Sequence, residues 1–344
     1  MKVLCGRGPL LASVLVGLMT VSPAVAQAFK PDQADRAAAV KEGTVSWYTS
    51  TPVQLAQRLA SRFQEETGIR VQLLRTGGTA VLRRIMSEIK AGRPGADVLT
   101  FSDAAAADDM AKQGLFAMFK PAGFDKVRDD VKDKDGRWIA QRIQVLGMPV
   151  RTDKVAENDR PKTWSDLKHP KYKGKMVMPD PNFTAIQVIV VSMLSRKLGW
   201  EFYKALRAND TMIVQGHQQV YQALQQGERV LGAEGAPPRT YNRGEALPNH
   251  VLILPAEGAF FVCSPMAILK NAAKPHAARA FVQFMFSPEA QTIIAASGIH
   301  AARADIAPPP GEPPLSTIKS FPIDYDYVHK QTRDTKTRFS EIFQ

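Results

Sequence analysis

At 344 residues with a formal charge of +12, the chain is long enough for two packed cores and presents a surface that favours anionic partners. Its basic residues are dispersed and no aromatic ladder interleaves with them, which argues against a nucleic-acid partner. With two cysteines in total, the fold must be held by packing rather than by a disulfide framework.

In chain order, residues 1–26 read as a secretion signal. Lys2 and Arg7 make a charged start, "LLASVLVGLMTV" is a short apolar core, and "AVA" before Gln27 marks cleavage near Ala26. That core is shorter than the ~20 residues that span a bilayer, and no later segment approaches this length, so we expect no membrane insertion. Cys5 precedes the apolar core, the wrong place for a lipidated cysteine. The expected product is soluble and, in a double-membrane bacterium, periplasmic. Cleavage removes Lys2 and Arg7, lowering the charge from +12 to +10 and leaving Cys263 as the single cysteine. Inside "AFFVCSPMAIL" it reads as a small buried hydrophobe.

The stretch "TVSWYTSTPVQLAQRLASRFQEETGIRVQLL" contains a β-α-β unit. "TVSWY" is a strand, Pro52 suits a first helical turn, Val53, Ala56, Leu59, Ala60 and Phe63 share a helix face, and Gly68 ends the helix before "IRVQLL". The pattern repeats through "TAVLRRIMSEIK", the turn "AGRPG" and the strand "ADVLTF". After about residue 150 it restarts: "KMVM", "MIV", "RVLG" and "VLIL" alternate with helices near 185–198, 200–208 and 217–227. Later come the strand "SPMAILK", helices within 275–286 and 288–296, the latter with Ser287 as N-cap, a proline-rich arm "APPPGEPP" and a short final helix in "DTKTRFSEIFQ". This texture predicts an α/β fold of two lobes, each a sheet flanked by helices.

In such sheets ligands lie beyond the carboxyl ends of the strands. The segments found there are "TSTP" (Ser50, Thr51), "TGGT" (Thr76, Gly77, Gly78, Thr79), "SDA" (Ser102), "DPNFT" (Asn182, Thr184), "QGHQQ" (His217) and "AEGAPPRTY" (Glu234, Arg239, Tyr241). Several open a helix, where unpaired amides and a partial positive charge can seat an anion. In "TGGT", the glycines allow close backbone approach, the threonines can add a hydroxyl, and Arg75, Arg83 or Arg84 can add charge. The same four residues also read as an ordinary turn ending in a threonine N-cap. No serine-hydrolase elbow, zinc-protease, phosphate-loop or dinucleotide motif is present, and the six histidines lack ligand spacing.

The segments "GTVSWYTSTP", "FQEETGIRVQLLRTGGTAVLRRI", "ADVLTFSDAA", "PKTWSDLKHPKYKGKMVMPDPNFT", "GERVLGAEGA" and "SPMAILKNAAKPHAARAFVQFMFSPEAQ" together resemble the bacterial extracellular solute-binding proteins of ABC importers. The nearest branch is the ferric-ion-binding type, whose relatives also take phosphonates and sugar phosphates. The resemblance covers roughly residues 43–300. It implies a two-lobed clamshell of the type II kind with two hinge strands near "GMPVRTDKV" and "AFFVCSPMAIL". The first lobe would span 27–149, with 259–344 largely returning to it, and the second 150–258.

The resemblance further implies a ligand in the interlobe cleft and delivery to an inner-membrane permease with its ATPase, by a monomer without cofactor or catalysis. Thr51, Thr76 and Thr79 match first-lobe loops that hold ligand or a synergistic anion. Thr184 and Ala185 stand where the second-lobe loop often reads Ser-Gly. Tyrosine-dependent ferric binders carry adjacent tyrosines where this chain has Pro237, Pro238, Arg239, Thr240 and Tyr241. One phenol and an added cation favour a small anionic cargo bearing phosphate, phosphonate or carboxylate. Two alternatives stay open: ferric ion as cargo on His217, Glu234 and Tyr241, and a secreted enzyme using Cys263 or Glu234 with Glu257.

Overall fold

A computed structural model describes residues 29–241, of which the Tyr241 side chain is excepted, and 245–344. The secretion signal read in residues 1–26 lies outside the described residues. The elements below belong to one compact unit, Pro31–Gln344.

Helix α1 (Arg36–Glu42) precedes strand β1 (Thr44–Thr49), helix α2 (Val53–Thr67), β2 (Arg70–Arg75), α3 (Gly78–Lys90), β3 (Val98–Thr100) and α4 (Ala104–Lys112). Next, β4 (Ile139–Leu146) runs almost directly into β5 (Met148–Arg151). The second lobe adds β6 (Met176–Pro179), α5 (Ala185–Leu198), α6 (Trp200–Ala208), β7 (Met212–Val214), α7 (His217–Gln226), β8 (Leu231–Gly232) and β9 (His250–Ile253). The chain then returns through β10 (Phe260–Ile268), α8 (Pro275–Met285), α9 (Pro288–Ala296) and β11 (His300–Ala301), and closes with α10 (Tyr325–Phe343).

The strands form two sheets, ordered β11-β4-β10-β3-β1-β2 and β7-β6-β8-β5-β9. β1 pairs in parallel with β2 and β3, and β6 with β7 and β8, while β10 runs antiparallel to β3 and β4 and β5 antiparallel to β8 and β9. The parallel pairs are the β-α-β units read from the sequence, and the antiparallel ones are supplied by the connections between lobes. The chain crosses from one sheet to the other at Gly147 and back between Ile253 and Phe260. A side chain at Gly147 would collide with the Ile253 carbonyl oxygen, so the two crossings run in direct contact.

Each lobe has its own apolar core. Trp47 and Phe63 are fully buried against Phe281 in edge-to-face contacts at 5.2 and 5.0 Å, and the Trp47 indole donates to Thr100 Oγ1 at 2.9 Å. Burying such a side chain contributes about 1.5–3 kcal/mol, and the aromatic pairing adds to it. In the second lobe Trp164, Tyr203 and Phe202 play this part around α5, of which only the last turn reaches solvent.

Two expected elements differ. The final helix is not a short tail: α10 is 19 residues long, capped by the Asp324 side chain, and packs on α5 and α6 through Phe339 and a buried Ser192–Thr335 hydroxyl pair at 2.9 Å. Its polar surface hid its length from the sequence. Pro52 is the N-cap of α2 rather than its first-turn residue.

Candidate functional site

The carboxyl ends of β1, β2 and β3 in one sheet and of β6 and β7 in the other face a shared cavity between the lobes. The first lobe contributes Ser50, Pro52, Arg75, Gly77, Gly78, Ser102, Arg142 and Gln144 to its walls, and the second contributes Phe183–Ile186 and Gln215–Gln219. The cavity volume is about 100 Å³. Two guanidinium groups and one imidazole line it, and among the described residues no carboxylate does.

Four helices begin at this cavity: α2, α3, α5 and α7. Their N-caps are Pro52, Gly77, Thr184 and Gly216, and none of the four makes a side-chain capping hydrogen bond. Each helix end carries unpaired amides and a partial positive charge, so four donor sets converge on one space. The expected threonine cap at Thr79 is not formed, because α3 already starts at Gly78 with Gly77 as cap. Ser50 Oγ is buried without a hydrogen-bond partner among the described residues, a hydroxyl available to an incoming acceptor.

Arg142 is held from behind. It is 1% exposed and donates to Thr51 Oγ1 at 2.8 Å and to Gln141 Oε1 at 2.6 Å. Thr51 is itself fully buried, fixed by Thr49 Oγ1 at 2.8 Å. Arg75 donates through Nε to the Thr51 carbonyl at 3.0 Å. Ser102 pairs with Ser264 at 2.8 Å. On the other wall His217, the first residue of α7, places Nε2 3.0 Å from both carboxylate oxygens of buried Glu234. Burial, and secondarily the charge of Glu234, raises the phenol pKa of nearby Tyr203 well above its usual range.

The sequence-predicted residues therefore separate. Ser50, Gly77, Gly78, Ser102, Thr184 and His217 line the cavity. Thr51 and Glu234 stand one layer behind, supporting Arg142 and His217. The side chains of Thr76 and Thr79 are not among the walls. Asn182 is exposed and donates to Asp180 and to Ser340 of α10 at 3.0 and 3.1 Å. Arg239 does not turn into the cleft; its stem lies against Gly298, and its charge bears on Glu312. The side chain of Tyr241 lies outside the described residues.

Residues not anticipated are Arg142, Gln144, Phe183 and the glutamines flanking His217. "IAQRIQVL" did carry a signal: three long polar side chains in a strand whose every residue is buried. Such groups need partners, and two of them face the cleft. Cys263 is buried and its thiol pKa is pushed up to about 12 by that burial, leaving it protonated at neutral pH. Glu257 accepts from the Trp164 amide at 3.1 Å while Glu234 engages His217, so the two carboxylates serve different partners. Among the described residues no three His, Cys, Asp or Glu side chains gather as a metal site, and no helix is long and apolar enough to cross a membrane.

Comparison with known proteins agrees with this fold. Residues 94–331 match the family model described as bacterial extracellular solute-binding protein. The chain is 24% identical over 304 residues to an Fe(3+)-binding periplasmic protein of Serratia marcescens, covering 84% of this chain and 87% of that one. Its fold is similar to the periplasmic binding protein AfuA of Actinobacillus pleuropneumoniae with fructose-6-phosphate bound, at TM-score 0.73 and 21% identity over 87% of this chain and 97% of that one. It is equally similar to iron-bound HitA of Pseudomonas aeruginosa, at TM-score 0.72 and 22% identity over 88% and 99% of the two chains. A two-lobed α/β fold around a cleft, and a family match over most of the chain, place the protein among the bacterial extracellular solute-binding proteins.

Proposed function

We propose that this protein is the periplasmic receptor of an ABC importer and that it captures a small anionic solute in the interlobe cleft for delivery to a membrane permease. The cargo carries a phosphate, phosphonate or carboxylate group. The observation that carries this reading is the wall of the cavity: four uncapped helix N-termini, Arg75 and Arg142, and no carboxylate among the described residues. One helix end supplies roughly 0.3–1 kcal/mol to an anion and up to about 2 when partly buried. Hydrogen bonds to a charged group add roughly 1.5–3 kcal/mol each. Together these reach the scale of about 8 kcal/mol that a micromolar dissociation constant requires after the costs of association. Capture needs no covalent step, and export fits the signal read in residues 1–26.

Ferric ion is the second reading, motivated by the buried His217–Glu234 pair at the cavity edge and by the iron-binding relative. The test is thermal unfolding of the protein from Gln27 onward against inorganic phosphate, phosphonates, carboxylates, and ferric ion with and without citrate. An anion at ~100 times its dissociation constant should add about 2.7 kcal/mol of stability. Stabilisation by an anion alone supports the proposal. Stabilisation only in the presence of ferric ion would replace it with the iron reading.

A further inference from the structure

We infer that Phe183 sets the size of the solute, closing the cleft around a compact single-headed anion and excluding hexose phosphates. The inference rests on the anion reading above and narrows it.

Phe183 comes from the second lobe, in the loop ahead of α5, and meets the first lobe at Gly77. A Cβ at Gly77 would lie 2.6 Å from the Phe183 carbonyl oxygen and 3.1 Å from two of its ring carbons. Gly77 has φ −65° and ψ 149°, an extended conformation open to any residue. The glycine is thus required by space and not by backbone freedom. The same ring also meets Gly216, where a Cβ would stand 3.4 Å from it. Phe183 therefore seats between the N-caps of α3 and α7, one from each lobe, and forms part of the cavity wall.

With this residue in place the cavity volume is about 100 Å³. That is below the roughly 300–1,000 Å³ of pockets that swallow larger ligands. An inorganic phosphate or methylphosphonate head fits. A hexose phosphate carries about three times as many heavy atoms and cannot be enclosed without moving Phe183 away from Gly77.

The experiment is calorimetric titration of wild type, Phe183→Ala and Gly77→Ala with inorganic phosphate, methylphosphonate and fructose 6-phosphate. Circular dichroism and apo unfolding serve as fold controls. Wild type should bind the best compact anion at least about tenfold more tightly than the sugar phosphate, a gap of about 1.4 kcal/mol. Phe183→Ala should bring the two within about threefold of each other, and Gly77→Ala should weaken every anion, because its methyl holds the lobes apart. If Phe183→Ala does not fold, Phe183→Leu makes the same comparison with a smaller change of ratio. Equal or tighter binding of fructose 6-phosphate by wild type, or an unchanged ratio in the Phe183 variant, overturns the inference while leaving anion capture standing. Failure of these three anions, and of acetate titrated alongside them, to bind wild type overturns both.

Discussion

The helix N-termini at the cleft and those elsewhere in the molecule are finished differently. Away from the cleft, α1, α9 and α10 are capped by Asp35, Ser287 and Asp324, and α4, which starts next to Ser102 but is not itself a wall of the cavity, is capped by Asp103; each accepts from an amide of the first turn. Helix α8 borrows the Glu42 carboxylate, which accepts from His276 and Ala277 amides. Helix α6 has no such partner, but its Gly199 cap is exposed and meets water. The four helices at the cavity have N-caps without a side-chain capping hydrogen bond, and their caps are walls of the cavity. A protein that satisfies its helix ends so consistently elsewhere forgoes a few tenths of a kcal/mol at each glycine cap and roughly 0.5–2 kcal/mol at the others. The stabilisation withheld there is available to a ligand that brings its own oxygens.

The largest effect should come from the cavity's buried cation. Arg142→Met removes the guanidinium held by Thr51 and Gln141, and we expect anion affinity to fall about 100-fold, roughly 3 kcal/mol, in a calorimetric titration. A loss below about threefold would mean that Arg142 faces the cleft without serving it.

A smaller effect inverts the comparison. Thr184→Asp supplies α5 with the kind of carboxylate cap that α1, α4 and α10 have, so the apo protein should gain about 0.5–1 kcal/mol in chemical denaturation. The same carboxylate should weaken anion binding about tenfold by occupying amides and repelling charge. Gain of stability without loss of binding would show that the α5 amides do not contact cargo. The smallest effect is the converse: Asp35→Ala should cost about 1 kcal/mol of stability and leave anion affinity unchanged.

Much of this was legible in the sequence because a β-α-β pattern places its loops on one edge. Ser50, Gly77, Gly78, Ser102, Thr184 and His217 all follow strands, and all reach the cavity. Where the reading failed, the direction of one side chain decided the matter. Starting α3 two residues earlier, at Gly78, removes Thr79 from the cap, and the loop before α5 sends Asn182 to α10 while its neighbour Phe183 enters the cleft. Arg142 and Gln144 escaped because a central strand buried on both faces gives no alternation to say which side chains face a ligand. Arg239 was expected near the cargo from its place after β8, yet the chain beyond Glu234 turns toward Gly298.

The most direct measurement is a crystal structure with arsenate, a phosphate-shaped anion located by its anomalous scattering. The account predicts one arsenic peak within the cleft, its oxygens within hydrogen-bond reach of the first-turn amides of α3 and α5 and of the Arg142 guanidinium. A cleft without arsenic at saturating concentration, or arsenic bound only on the outer surface, would contradict it.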